Sequence, residues 1–549
     1  MSSKTNNRLE SWKAIANYLG RSVRTVRRWE ASEGLPVHRQ MHRSQASIYA
    51  YAEELDAWRS RSEGAREPTV APPINSQPGS IAVLPFRLLG PSEQDAYIAD
   101  GFTDEVITHL SRIRHLRVIS RTSSMALKGS NDDAQKVGKL LKVAFLLEGT
   151  VRIHQSRLRV AASLIDAEAD EPLWGDRYEG TLDDIFEIQE EIARKIVDAL
   201  RVELSPEEDR RLSIRMVPDV TAWQWMQQAR QEAMRWRRDS IDRAIGLLKK
   251  GLDLQGDNAE LLAALGRAYL QYREAGLDLT EGPLDQAEAC VSKAFAVDPD
   301  SAASRQLRGW LHYARGHIAA AVADLNAARE ADWNNPDTIG LLCNCYLISG
   351  RGMLARPLIE TLLSIDPLMP VHQCLPGWAD VLEGSFESAV KPYQAMFESD
   401  PGNPLGRLFY LWVLASNGQT DEALRVASKF PEAARATPPG RIVALYSAVL
   451  SGDEPGEIPD PSSEADIMGG AGDIFPRFIA DACALAGRLD DAVGWLAVAV
   501  QQGFVNYPYL AKHNPHLASM REFPAFQDLL LDVRRRWETF DEALASSGQ

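Results

Sequence analysis

The sequence predicts a multidomain, mainly α chain in three parts: a small basic N-terminal module, a central α/β domain and a long C-terminal helical-repeat solenoid. Three observations predict it. Residues 1–62 hold 11 Lys/Arg against 6 Asp/Glu, a net of +5, within 549 residues of net −16, so the remainder carries −21. Between Ser80 and Leu204, strand-like apolar runs alternate with helix-like periods. Beyond that, glycine recurs every 34 residues at Gly282, Gly316, Gly350, Gly384, Gly418 and Gly452.

Composition excludes several classes. The chain is 45% apolar and 25% charged, as soluble globular proteins are. Runs such as Ile442 to Leu450 fall short of the roughly 18 apolar residues a membrane helix needs, and no signal peptide is seen, so a cytoplasmic protein with no membrane partner is expected. Cys290, Cys343, Cys345, Cys374 and Cys483 form no CxxC pair and are read as buried small hydrophobes. No P-loop, GxSxG or HExxH occurs, and Gly469-Gly470-Ala471-Gly472 follows no strand. No catalytic residue, cofactor or metal site is expected, and the chain is read as non-enzymatic.

In the N-terminal module, residues 8–62, Leu9 to Leu19 is expected to be a helix whose apolar face is Ile15, Ala16 and Leu19. Gly20 ends it, and Ser22 can cap a second helix from Val23 to Ala31. There Val23, Val26 and Trp29 share one face, while Arg24, Arg27 and Arg28 lie nearly opposite. One stripe packs and the other offers guanidinium groups to base edges and phosphates. Strands are expected at Val37 to Arg39 and Ile48 to Tyr51, with Arg39, His42 and Arg43 near the tip between them. A closing helix, Glu53 to Arg61, supplies Leu55 and Trp58. On YLGRSVRTVRRWE, GLPVHR and ELDAWRSR, this stretch resembles the excisionase and MerR-type winged helix-turn-helix family. The resemblance implies a double-stranded DNA partner. The expected DNA-binding set is Arg21, Ser22, Arg24, Thr25, Arg27, Arg28, Arg39, His42 and Arg43. A single head has a small interface on an acidic body, so tight binding is expected to need a homodimer.

Residues 63–79 are rich in Pro, Ser and Ala and read as a flexible linker. The domain at 80–205 is expected to hold strands at Ile81–Phe86, Leu116–Ser120, Ala144–Ile153, Leu158–Asp166 and Trp174–Tyr178. Helices are expected at Asp104–Ile113, Asp132–Lys142 and Asp183–Leu200. Through IAVLPF, DGFTDEVITHLSRI, LLEGTVR and DRYEGTLDDIFEIQEEIA it resembles the TolB amino-terminal-like, or FlgO-like, domain. Asp100, Asp104 and Glu105 could be imagined as metal ligands, but acidic residues at a helix N-terminus explain them more simply.

The repeats are placed at residues 218–502, about seven units. Alanine follows five of the glycines by five residues, at Ala287, Ala321, Ala355, Ala389 and Ala423; Gly487 and Ala492 repeat the pair. Glycine is expected to end the first helix of each pair and alanine to let the second pack closely. Asp298-Pro299, Asp366-Pro367 and Asp400-Pro401 mark the turns between pairs. The period and pattern resemble the tetratricopeptide family, which implies a groove for an unidentified protein or peptide partner. Trp223, Trp225, Trp236, Trp310, Trp333, Trp378, Trp412 and Trp495 are mostly read as packing between helices, and residues 503–545 as capping helices. Together these features point to a DNA-binding transcription regulator or signalling adaptor. The alternative is an interaction scaffold whose head docks a protein.

Overall fold

The computed structural model describes residues 8–9, 11–19, 35–41, 46–52, 54–55, 79–90, 96–130, 132–154, 157–202, 204–463 and 472–547. Contacts divide the chain into two units, 1–76 and 77–549.

In the first unit, Arg8–Leu9 (β1) is a strand rather than the start of the first helix, because it pairs antiparallel with Tyr51 and Ala50. Helix α1 (Trp12–Leu19) begins after Ser11, whose Oγ accepts the Ala14 amide at 3.1 Å. His38–Met41 (β2) and Ala46–Tyr51 (β3) form the expected hairpin, each one to two residues displaced from the expected bounds. Ile15, Leu35, Ala50 and Leu55 make its small core, flanked by Leu9, Trp12, Val37 and Ile48. The second helix, the hairpin tip, Trp58 and nearly all of the linker lie outside the described residues.

The second unit opens on a six-stranded sheet. Ser80–Val83 (β4) lies parallel to Arg117–Val118 (β6) and to Phe145–His154 (β7); Arg87–Leu88 (β5) continues beside β7. Arg157–Asp166 (β8) and Glu171–Thr181 (β9) then complete an antiparallel meander. Along β8, Leu158, Val160, Ala162 and Leu164 are buried, so one face is core and the other is not. Helices α2 (Ala96–Ser111) and α5 (Ile185–Ala199) cover the core face. Two short helices were not expected, α3 (Arg121–Met125) and α6 (Pro206–Leu212); α4 (Ala134–Leu141) was.

Among the described residues seven helix pairs follow: α7/α8 (Val220–Ala233, Arg238–Gln255), α9/α10 (Ala259–Glu274, Gly282–Val297), α11/α12 (Ala302–Ala314, Ile318–Ala331), α13/α14 (Pro336–Ile348, Gly352–Ile365), α15/α16 (Pro370–Leu382, Glu387–Ser399), α17/α18 (Pro404–Ser416, Thr420–Ser428) and, after helix α19 (Pro438–Ser451), α20/α21 (Ile474–Leu485, Leu489–Gln501). Of the degenerate Gly452 unit, the described residues show α19 and a helical stretch at 461–463. Ala244, Ala287, Ala321, Ala355, Ala389, Ala423 and Ala492 are all 0% exposed, which is why the period tolerates nothing larger there. Five of the first helices start on a capping Asp, Asn or Ser (Asp219, Asn258, Ser301, Asn335 and Asn403), as when Asn335 Oδ1 accepts the Thr338 amide at 3.0 Å. Gly316 shows why glycine ends them: its φ is +74°, and a Cβ would lie 2.4 Å from the Gln501 carbonyl oxygen. Gly282 breaks the rule. It opens α10, and the left-handed turn residue after α9 is Gly276, because an insertion between the two helices moves the turn upstream.

The array closes on itself. Gln501 and Gly503, at the end of the seventh pair, sit against Gly316 and Ile318 of the third. Helix α22 (Pro524–Glu538) packs on α21, as capping requires, and α23 (Phe540–Ser547) reaches back to α12. Arg351 holds that return, donating to the Trp537 carbonyl at 2.7 Å and pairing with Asp541 at 3.1 Å.

Candidate nucleic-acid interface and domain junction

Of the nine expected DNA-binding residues, the structure describes Arg39 alone. It is exposed in β2, opposite Ile48, whose side chain packs on the head core. Arg21, Ser22, Arg24, Thr25, Arg27, Arg28, His42 and Arg43 lie outside the described residues. Alternation puts His38 on the other face of the hairpin from Arg39. There it stacks on Tyr49 at 5.2 Å, and its Nε2 is 2.6 Å from Glu54 Oε2. A half-buried aromatic group thus stiffens β2 from behind Arg39.

The α/β domain and the repeats are not separate bodies. One hydrophobic core runs from Ile81 through Trp223 to Leu311. Helix α7 lays Trp223, Met226 and Ala229 on the domain; the Trp223 Nε1 donates to Glu105 at 3.4 Å, and its ring meets Phe186 edge-on at 5.8 Å. This overturns both readings of the acidic trio. Helix α2 begins at Ala96, so Asp100, Asp104 and Glu105 are not at its N-terminus, and they face cations of the neighbouring elements instead. Asp104 pairs with Arg230 and Arg121, and Asp100 accepts from Lys128 at 2.5 Å and Gln231 at 2.9 Å. Burial raises the Glu105 carboxyl above its ordinary value, with Arg112 opposing. No group of three or more His, Cys, Asp or Glu among the described residues is placed to hold a metal.

A second junction joins the domain to turns between repeat pairs. Asn334 Nδ2 donates to the Val118 carbonyl at 2.8 Å, and Arg117 donates to the Ser364 carbonyl at 2.6 Å. Asp366, expected only to stop a helix, is 1% exposed and accepts from Ser120 Oγ and, at 2.5 Å, from Ser123 Oγ. His372 Nδ1 lies 2.9 Å from its other oxygen. Burial alone would raise this carboxyl, but His372, Ser120 and Ser123 outweigh burial and hold it below its ordinary value. A depressed folded-state value means the contact stabilises above about pH 4 and is lost as pH falls through the lower folded value. Asp366→Asn is therefore expected to lower the urea midpoint near neutrality and to differ less from wild type at pH 3. A difference that grows on acidification would contradict this.

Over α15 and α17 the groove implied by the tetratricopeptide resemblance is filled. Helix α20 lies on the first helices α15 and α17: Phe478 stacks on Trp412 at 4.8 Å, and Arg477 lies over Trp378 at 4.7 Å and Phe504 at 4.5 Å. Trp223, Trp412 and Trp495 are buried to 1% or less and Trp378 to 8%, as packing residues should be; Trp236 is 49% exposed. All five cysteines are free and buried.

Comparison with known proteins bears on the middle of the chain. Residues 76–195 match the family model of the HilA/YgeH-like transcriptional regulator, second domain. A curated relative named "Putative adenylate cyclase 3", from Rhizobium meliloti (strain 1021), is 36% identical over 211 residues, 38% of this chain. The match spans 36% of that relative's own length. Among solved structures, a thermophilic TPR protein of Thermus thermophilus is 16% identical with a TM-score of 0.29, covering 35% of this chain and 99% of that one. A tetratricopeptide repeat protein of Parabacteroides merdae ATCC 43184 is 11% identical with a TM-score of 0.33, covering 52% and 99%. The repeat architecture rests on the helix pairing described above rather than on these likenesses. No described helix is long and apolar enough to cross a membrane.

Proposed function

We propose that this chain is a non-enzymatic, cytoplasmic transcription regulator that binds double-stranded DNA through its head and reads a signal or protein partner through the fused domain-and-repeat body. The observation that carries the reading is the order of its parts. A basic unit with a helix and a two-stranded wing stands directly before a segment that matches a transcriptional regulator's second domain. The DNA-binding residues are Arg21, Ser22, Arg24, Thr25, Arg27, Arg28, Arg39, His42 and Arg43. The excisionase/MerR-like and TolB-like resemblances of the sequence motifs support the same order. A homodimer suits a head this small. Because α20 covers Trp378 and Trp412, a protein partner docks elsewhere on the body.

The test is retention of genomic fragments by the full chain at physiological salt, followed by sequencing. Enrichment of discrete sites is expected. A retained profile identical to the input would favour a scaffold whose head binds protein.

A further inference from the structure

The sheet of the α/β domain is covered unevenly. On the face opposite α2 and α5, helix α4 and Leu368 pack only over the end formed by Ala82, Ile119, Leu146 and Ala167. Beyond them, among the described residues of the 77–549 unit, β5, β7, β8 and β9 leave Arg87, Glu148, Gly175 and Arg177 exposed. Their register sets Arg87 beside Thr150, Thr150 beside Ala161 and Ala161 beside Arg177, so these four side chains form one row across the strands. The neighbouring row is Glu148, Ser163 and Gly175. Small residues in the middle and long ones at the rim leave an open cavity of about 630 Å³. That volume is in the range of small-molecule sites.

A merely solvated sheet face would look different. Strand positions favour β-branched residues such as Thr and disfavour glycine. Packing does not require Gly175, since a Cβ there would meet nothing nearer than Ser163 Oγ at 3.7 Å, an ordinary contact. The arginines are also unlike most others in this acidic body, which pair with carboxylates. Arg159 on the same face pairs with Glu179 at 3.1 Å. Arg87, Arg152 and Arg177 have no acidic partner among the described residues, so their donors face solvent over the cavity and its margin.

We propose that this face binds a small hydroxylated oxyanion, held between the Arg87 and Arg177 guanidinium groups, with Glu148, Thr150 and Ser163 receiving its hydroxyls. Arginine's fixed fork suits carboxylate and phosphate alike, so the shared chemistry is the oxyanion. Such a site makes the α/β domain an effector-binding element. The inference does not depend on what the head binds.

Ribose 5-phosphate and citrate separate the two sources of oxyanion. Each is titrated into the full chain by calorimetry and thermal melting, with NaCl at matched ionic strength as reference. One of them is expected to bind saturably and raise Tm, phosphate ester or carboxylate being identified by which. Arg87→Gln and Arg177→Gln are each expected to weaken binding by roughly tenfold or more, the loss of one charge-assisted contact. Gly175→Leu should abolish it by filling the floor, while Arg210→Gln, on an exposed helix elsewhere, should bind as wild type. Two results overturn the proposal: neither anion exceeding NaCl, or the two arginine variants binding as tightly as wild type.

Discussion

Replacing Arg477 by alanine is expected to destabilise the 77–549 unit by about 3–5 kcal/mol. The guanidinium is 2% exposed, and its Nε donates to Asp473 Oδ2 at 2.7 Å. Trp378, Phe478 and Phe504 surround it, each from a different element of the closed array. Alanine would strand the Asp473 carboxylate, itself 1% exposed, and would open a cavity among the rings. The partner's isolation, rather than the pair's net worth, makes the loss large. The paired substitution Arg477→Met with Asp473→Leu should therefore recover most of the stability, since apolar replacement of both members of a buried pair is often neutral. Urea unfolding of the three proteins measures this. A loss below about 1 kcal/mol for Arg477→Ala, or a double variant as poor as the single, would contradict the account of the filled interior.

What the sequence revealed follows from which interactions are local. The recurring alanines were legible because each packs against its own pair, and Ala287, Ala321, Ala355, Ala389, Ala423 and Ala492 are all fully buried. Five strands of the sheet were legible, within a few residues, whereas β5 at Arg87–Leu88 was not. Closure of the array was not, because it depends on which surfaces meet across about 190 residues, as Gln501 meets Gly316. A signal existed. Helix α13 buries Ile339, Leu341, Leu342, Cys343, Cys345, Tyr346, Leu347 and Ile348, so it is apolar nearly all round, and such a helix is covered on every side. Asp366 was read from Asp-Pro as a stop, which it is, but nothing local showed that Ser120 and Ser123 would complete it. The acidic trio misled for the same reason: the cations that answer Asp104 come from residues 121 and 230. In the head, the helix and hairpin were legible, whereas β1 depends on a partner at Ala50–Tyr51 that has no local mark. Arg87 and Arg177 carried no mark either, since only the sheet register sets them in one row.

The proposal that the head binds DNA through Arg24, Arg27 and Arg28 is tested most directly by the salt dependence of binding. A helix over 23–31, as the sequence pattern predicts, would carry Arg24, Arg27 and Arg28 on one side and Val23, Val26 and Trp29 on the other. Each phosphate contact releases condensed counterions, so each one lost should lower the slope of log K against log salt by about one unit. A base-reading arginine should instead cost about 1–3 kcal/mol and relax sequence preference, and Arg24, central in the set, is assigned that role. Anisotropy titrations against salt, on the isolated head and on the full chain, should show Arg24→Ala losing preference among sites. Arg27→Ala and Arg28→Ala should lower the slope, and the triple variant should bind at non-specific strength or not at all. A triple variant that binds as tightly as wild type, with the same slope, would contradict the assignment of this helix and of the head as the DNA-binding element.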